Sequence, residues 1–167
     1  MKRIKLEIAY DGTNYHGWQI QPNAVTVEGK INTVLSELCK EEIAVIGASR
    51  TDAGVHAYGN VAVFDTNSPI PPEKFAYELN AHLPWDIRVQ SSKEVASDFH
   101  PRHCDSKKTY EYHILNRKIA IPSKRLYSYH FHWDLDIEAM QKGAEYLIGT
   151  HDFKSFCSAK TQVTDTV

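Results

Sequence analysis

The sequence predicts an α+β fold of the split βαβ, ferredoxin-like kind, with helices on one face of an antiparallel sheet. Three observations carry this. The first 95 residues read in the order strand, helix, strand, strand, helix, strand. The opening segment alternates apolar and polar residues with period two. The chain, 167 residues with 42% hydrophobic content, is long enough to bury a core without disulfides or a structural metal.

Taken in order, Lys2 to Tyr10 places Ile4, Leu6 and Ile8 on one face and Lys5 and Glu7 on the other, a half-buried strand. Asp11-Gly12-Thr13-Asn14 has turn chemistry. Val27, Ile31, Val34, Leu35 and Leu38 follow helical spacing, with Thr26 as cap and Glu28 in the first turn. Ile43 to Ile46 reads as a short buried strand, and Val61-Ala62-Val63-Phe64 as another. Pro71-Pro72-Glu73 opens a second helix through Phe75, Leu79 and Leu83, proline being favoured at helix starts. Ile87 to Val95 is the fourth strand. Beyond it come strands at Tyr110–Leu115 and Tyr127–Trp133 and a helix near Ile137–Leu147. Residues 1–100 are therefore expected to form one subdomain and 101–167 the start of a second.

Composition excludes several function classes. Mean hydropathy is −0.45 and apolar runs are short, so no membrane span is expected. The basic start Met1-Lys-Arg-Ile-Lys has no apolar stretch behind it, which argues against a secretory signal. Three widely spaced cysteines (Cys39, Cys104, Cys157) suit a reducing, cytoplasmic setting. The net charge is −2, but it is unevenly spread. Residues 100–130 hold seven Lys/Arg against two acids, a local +5, while the remaining 12 basic and 19 acidic residues sum to −7. A basic face of this kind can meet phosphate although the total charge is negative, or it can be a solvated surface.

The most informative segment is Gly47-Ala48-Ser49-Arg50-Thr51-Asp52-Ala53-Gly54-Val55-His56-Ala57. It follows a strand, so a rigid sheet can aim its polar groups, and its small residues let a substrate approach the backbone. Asp52 can serve as nucleophile or general base, with Arg50 holding it ionised or contacting phosphate. The bland alternative is a loop whose Arg and Asp pair at the surface. Lys107, Lys108, Arg117 and Lys118 flank the strand bearing Tyr110 and can meet phosphates. Tyr110 and Tyr112 share a face by alternation, which alone suits core aromatics as well as a site. His100-x-x-His103-Cys104 and His130-x-His132 invite a metal, yet no Cys-x-x-Cys or His-Glu-x-x-His accompanies them, so none is expected. The Pro-Cys-x-x-Cys of zinc deaminases is also missing.

The whole string Gly47–Ala57, centred on Arg50-Thr51-Asp52-Ala53-Gly54-Val55-His56-Ala57, resembles the signature of the tRNA pseudouridine synthase A family. Tyr10 to Gln21 resembles the family's N-terminal strand and turn. Asn80 to Ile87, Phe99-His100-Pro101-Arg102, Lys108 to Asn116 and Gly149 to Phe156 follow in the family's order. Ser49 stands where the family usually has glycine, a small replacement.

The resemblance implies the pseudouridine synthase fold: two ferredoxin-like halves joined by a continuous antiparallel sheet, this chain being the N-terminal portion. It implies isomerisation of uridine to pseudouridine at positions 38–40 of the tRNA anticodon stem-loop, by a homodimer without cofactor. Asp52 is then the nucleophile, attacking sugar C1′ or base C6. Arg50 fills the place vacated by the flipped base and touches RNA, and Tyr110 stacks on the target base. Phe99, His100, Pro101, Arg102 and His103, with Lys107, Lys108 and Lys118, and the stretch Lys160, Thr161, Gln162, Val163 and Thr164, are implied RNA contacts. The basic partner of the aspartate is expected beyond Val167. The competing expectation is an RNA-binding module of the same fold without catalysis, which binds tRNA but releases no C5 proton.

Overall fold

The computed structural model describes residues 1–157 and residue 166. It divides into two compact units, Met1–Thr109 and Tyr110–Val167.

The first unit is built on β1 (Lys2–Tyr10), which is flanked on both sides. It pairs antiparallel with β3 (Ala57–Thr66) and with β4 (Ile87–Val95), and β2 (Ile46–Gly47) extends the sheet beyond β3. The order β2-β3-β1-β4, antiparallel throughout, is that of the split βαβ arrangement the element sequence predicts. The side chains of β1 at Ile4, Leu6, Ile8 and Tyr10 are buried, while Lys5 and Glu7 on the other face are partly or fully exposed. Helix α1 (Val27–Cys39) contributes Val27, Ile31, Leu35 and Cys39, one residue per turn on a single stripe. Helix α2 (Phe75–His82) contributes Phe75, Ala76 and Leu79.

Local chemistry fixes the ends. The Thr26 hydroxyl accepts from the Gly29 N–H at 3.2 Å and caps α1, and Lys40 closes that helix with φ at +57°. The start of α2 is capped from the sheet: the Ala76 N–H donates to Ser92 Oγ at 2.9 Å. Ser92 is able to face inward because the β1–β4 register slips between Glu7 and Ile8, moving the inward parity from Ile87 and Val89 to an even position. Asn80 then joins α2 to β4, its amide donating to Val89 O and accepting from the Val89 N–H, both at 2.8 Å. Arg3 holds Asp65 by two bonds, Nε to Oδ1 at 2.8 Å and a second guanidinium nitrogen to Oδ2 at 2.6 Å. A third bond from Arg3 reaches Phe99 O at 3.1 Å.

Two sequence expectations are corrected here. The strand expected over Ile43 to Ile46 begins only at Ile46. Residues 43–45 are held by helix side chains instead, Ile43 N–H donating to Ser36 Oγ and Val45 N–H to Asn32 Oδ1. The second helix opens as a single 3-10 turn at Pro72–Lys74 and becomes α-helical from Phe75.

In the second unit β5 (Ile114–Asn116) pairs with β6 (Tyr129–Phe131), and α3 (Ile137–Glu145) follows, capped by the Asp136 carboxylate on the Ala139 N–H at 2.9 Å. The pair is parallel, whereas the resemblance implies antiparallel strands; the connection through residues 117–128 is long enough for the crossover that parallel pairing needs. The strand expected over Tyr110–Leu115 is shorter and later. Its first ladder bond is Tyr129 N–H to His113 O at 2.8 Å, so the Tyr-x-Tyr alternation before it has no partner strand among the described residues.

Candidate active site

Asp52 lies in the link between β2 and β3, and three other chain segments hold that link. At its entry, the Ala48 N–H donates to Val61 O at 2.7 Å and the Asn60 amide then takes over from the backbone. Asn60 Oδ1 accepts from the Ser49 N–H at 3.2 Å and Nδ2 donates to Ser49 O at 3.1 Å. In the middle, the turn after β1 forms the floor. The Trp18 N–H donates to Thr51 O at 3.0 Å and the Gly54 N–H to Tyr15 O at 3.2 Å. At its exit, the Gly12 N–H donates to His56 Nδ1 at 3.2 Å, beside the Asp11 carboxylate 3.1 Å from the same ring nitrogen.

Floor and loop meet so closely that glycine is required. A Cβ on Gly12 would stand 2.0 Å from Val55 O, and Gly17, at φ +86°, would put one 2.6 Å from Thr51 O. The floor is anchored in turn by Asp86, the residue just before β4. The Tyr15 hydroxyl donates to Asp86 Oδ1 at 2.6 Å and the Asp11 N–H to Asp86 O at 2.9 Å. Burial, reinforced by Asp86, raises the Tyr15 phenol well above the ordinary tyrosine range and keeps it a donor.

On this support the Asp52 side chain is exposed, and among the described residues its carboxylate takes part in no hydrogen bond or ion pair. The surface pairing with Arg50 that the sequence allows is therefore not formed. Asp52 lines an open depression of about 330 Å³ with His16, Gln19, Gln21, Arg50, Thr51 and Ala53. Arg50 and Gln19 also line a smaller depression of about 100 Å³ that reaches Arg102. Lys108 donates to Ala48 O at 3.2 Å, bringing another cation to the loop entry. The loop thus gathers a carboxylate that no described residue pairs, an open depression and three cations.

The other sequence candidates are placed as follows. Phe99 and His100 are half-buried, Pro101 is buried, and Arg102 and His103 are exposed on two successive turns. Partial burial, with His103 and Arg102 nearby, pushes His100 below the ordinary imidazole value. Lys107 is exposed, as are Tyr110, Tyr112 and Lys118 in the second unit. Lys160, Thr161, Gln162, Val163 and Thr164 lie outside the described residues. Among the described residues no three His, Cys, Asp or Glu side chains gather as metal ligands.

Sequence reasoning missed Tyr10, Asn60, Tyr15, Asp86, His16 and Gln19. For Tyr10 and Asn60 a signal existed, since each puts a polar atom on the inward face of a strand amid apolar neighbours.

The architecture is thus of the α+β class, with Asp52 and Arg50 sharing one open depression beside an antiparallel sheet. The family model described as tRNA pseudouridine synthase matches residues 7–104. A tRNA pseudouridine synthase A from Thermoanaerobacter sp. (strain X514) is 48% identical over 167 residues, covering 100% of this chain and 68% of that protein. Those of Acetivibrio thermocellus and Brevibacillus brevis are 50% and 47% identical, covering 98% and 100% of this chain and 68% of each relative. The chain belongs to the tRNA pseudouridine synthase family.

Proposed function

We propose that this protein isomerises uridine to pseudouridine in tRNA, at positions 38–40 of the anticodon stem-loop, with Asp52 as the nucleophile. The observation that carries this reading is the carboxylate of Asp52, bonded to no described residue, at the wall of a depression on a loop whose backbone is bonded on three sides.

The reaction breaks the C1′–N1 glycosidic bond, turns the uracil and forms C1′–C5. The C5 proton is lost and N1 gains one, so atoms and electrons balance without a redox partner or group donor. A carboxylate suits it by adding covalently or by shielding an oxocarbenium-like sugar, as in glycoside hydrolysis. Flipping the uridine costs a few kcal/mol of unstacking. Arg50, on the same depression, takes the vacated place, and Tyr110 stacks on the flipped base. Arg102, Lys107 and Lys108, with Phe99, His100, Pro101 and His103 around them, meet the phosphate backbone, joined by Lys118 and the 160–164 stretch. A homodimer in the cytoplasm, needing no cofactor, completes the reading. No helix among the described residues is long and apolar enough to cross a membrane.

Tritium release from tRNA labelled at uridine C5 is the test. Release at stoichiometry with the anticodon-arm uridines is the expected result. Tight tRNA binding without release would replace this reading by the non-catalytic RNA-binding one.

A further inference from the structure

Behind the Asp52 loop lies a polar chain that the chemistry above does not use. Asn60 and Tyr10 are both buried, at 6% and 5% exposure, on the inward face of β3 and β1. Asn60 Nδ2 lies 3.1 Å from Ser49 O and 3.5 Å from the Tyr10 hydroxyl, and that hydroxyl is 2.7 Å from Thr51 Oγ1. The phenol accepts from Asn60 and shares a second hydrogen bond with Thr51, in which either hydroxyl can donate. Hydrogen bonds thus run from Asn60 through Tyr10 to the residue next to Asp52. No buried side-chain nitrogen or oxygen among the described residues is left without a partner. The register of the β1–β3 ladder breaks at this point, between Ile8 and Tyr10. The break sets Tyr10 opposite Ala57 and Ile8 opposite Asn60. Such breaks re-aim side chains beside functional sites.

We propose that Asn60 and Tyr10 are positioning residues for Asp52, fixing Ser49 and Thr51 so that the carboxylate stands at a set point in the depression. The inference rests on the assignment of Asp52 made above. Asn60 fixes the main chain three residues before Asp52 by bonding both Ser49 polar groups. Tyr10 fixes the side chain immediately before it. Burial raises the Tyr10 phenol above its ordinary value, so it keeps its proton across the neutral range. Small misplacement of a catalytic group is enough to cost about 10²-fold in rate.

The molecule contains its own control. Asn80 makes the same two-way bond to a strand backbone, at Val89, far from Asp52 in the chain. Truncating either asparagine removes a pair of amide bonds, but only Asn60 leads to the loop. The experiment measures tritium release, melting temperature and tRNA affinity for the full protein and for Tyr10→Phe, Asn60→Ala, Asn80→Ala, Thr51→Ser, Thr51→Val and Asp52→Asn. Tyr10→Phe and Asn60→Ala are expected to lower kcat by about 10- to 100-fold with KM changed less than about threefold. Asn80→Ala is expected to lower the melting temperature as Asn60→Ala does while keeping kcat. Thr51→Ser, which keeps the hydroxyl, should retain most of the turnover that Thr51→Val loses. Wild-type kcat in Tyr10→Phe and Asn60→Ala, with Asp52→Asn inactive, overturns the positioning role and leaves the Asp52 assignment standing. Full turnover in Asp52→Asn overturns both.

Discussion

The two units bury their side chains very differently. In Met1–Thr109 the core runs from Ile4 to Val89, and every buried residue of the described chain lies in this unit. In the second unit none of the described residues is buried, and Tyr110, Trp133, Tyr146 and Phe156 stand largely in solvent. The difference teaches where precision resides. Asp52 is mounted on the unit with a dense core, where low compressibility holds a loop in place. Tyr110, which stacks on the base under the proposed reading, sits outside any strand on a thinly buried unit. Segments with few buried contacts open at lower free-energy cost. Asp52 and Tyr110 are thus held by different means, one by packing and one without it.

The largest effect expected tests whether the site and the packing are separable. Asp52→Asn should lower turnover by at least about 10⁴-fold, ~5 kcal/mol of barrier, with no change in melting temperature, because the side chain is exposed and bonded to no described residue. An equal fall in stability would show that Asp52 helps hold the fold and would undo the separation drawn above. Next comes the core itself. Leu35→Ala removes a fully buried side chain from α1 and should cost about 3 kcal/mol of unfolding free energy. Met140→Ala, in α3 and 47% exposed, should stay within about 0.5 kcal/mol. Urea titrations of both variants settle it, and equal losses would mean that Met140 is covered in solution.

How much of this was legible in the sequence follows the same division. Where one face of an element is buried, period betrays it, so β1, α1 and β4 were readable from Ile4-Leu6-Ile8, Val27-Ile31-Leu35 and Ile87-Val89. The Asp52 loop was readable as a site because its residue types are unusual together. Its support was marked only by polar atoms on inward strand faces, because Asn60 and Tyr10 act through hydrogen bonds across 11 and 41 positions of chain, for which no periodicity exists. The β1–β4 slip that turns Ser92 inward was hidden likewise, since a bulge is set by the partner strand. The Tyr110 strand failed for a related reason. Alternation shows what a strand would look like, and only a neighbouring strand makes one.

Two helix caps sharpen the comparison at a smaller scale. Thr26 caps α1 from a buried position, and Asp136 caps α3 in the open. Thr26→Ala should lower global stability by about 1 kcal/mol. Asp136→Ala removes the same kind of bond but should reduce only the helicity of α3, leaving the main unfolding transition in place. Circular dichroism during thermal melting, with hydrogen exchange at Ala139 and Gly29, distinguishes them. A common shift in the main transition would join the two units into one cooperative block.

The smallest effect lies at the edge of the well-packed unit, where Arg3 holds Asp65 and also reaches Phe99 O. The hydrogen bonds from Arg3 hold the Asp65 carboxyl below its ordinary value, their effect outweighing the opposing effect of burial. A carboxyl that ionises more readily folded than unfolded adds stability above its unfolded value, about pH 4, and loses it as pH falls through the lower folded value. Wild type should therefore exceed Asp65→Asn in urea midpoint near neutral pH, and the gap should close steadily below about pH 4. Because both side chains are partly exposed, salt should narrow the gap at neutral pH. A gap that stays constant into acid would mean that Asp65 contributes through packing or neutral hydrogen bonding rather than charge. The strap to the Phe99 turn would then have to be credited to Arg3 alone.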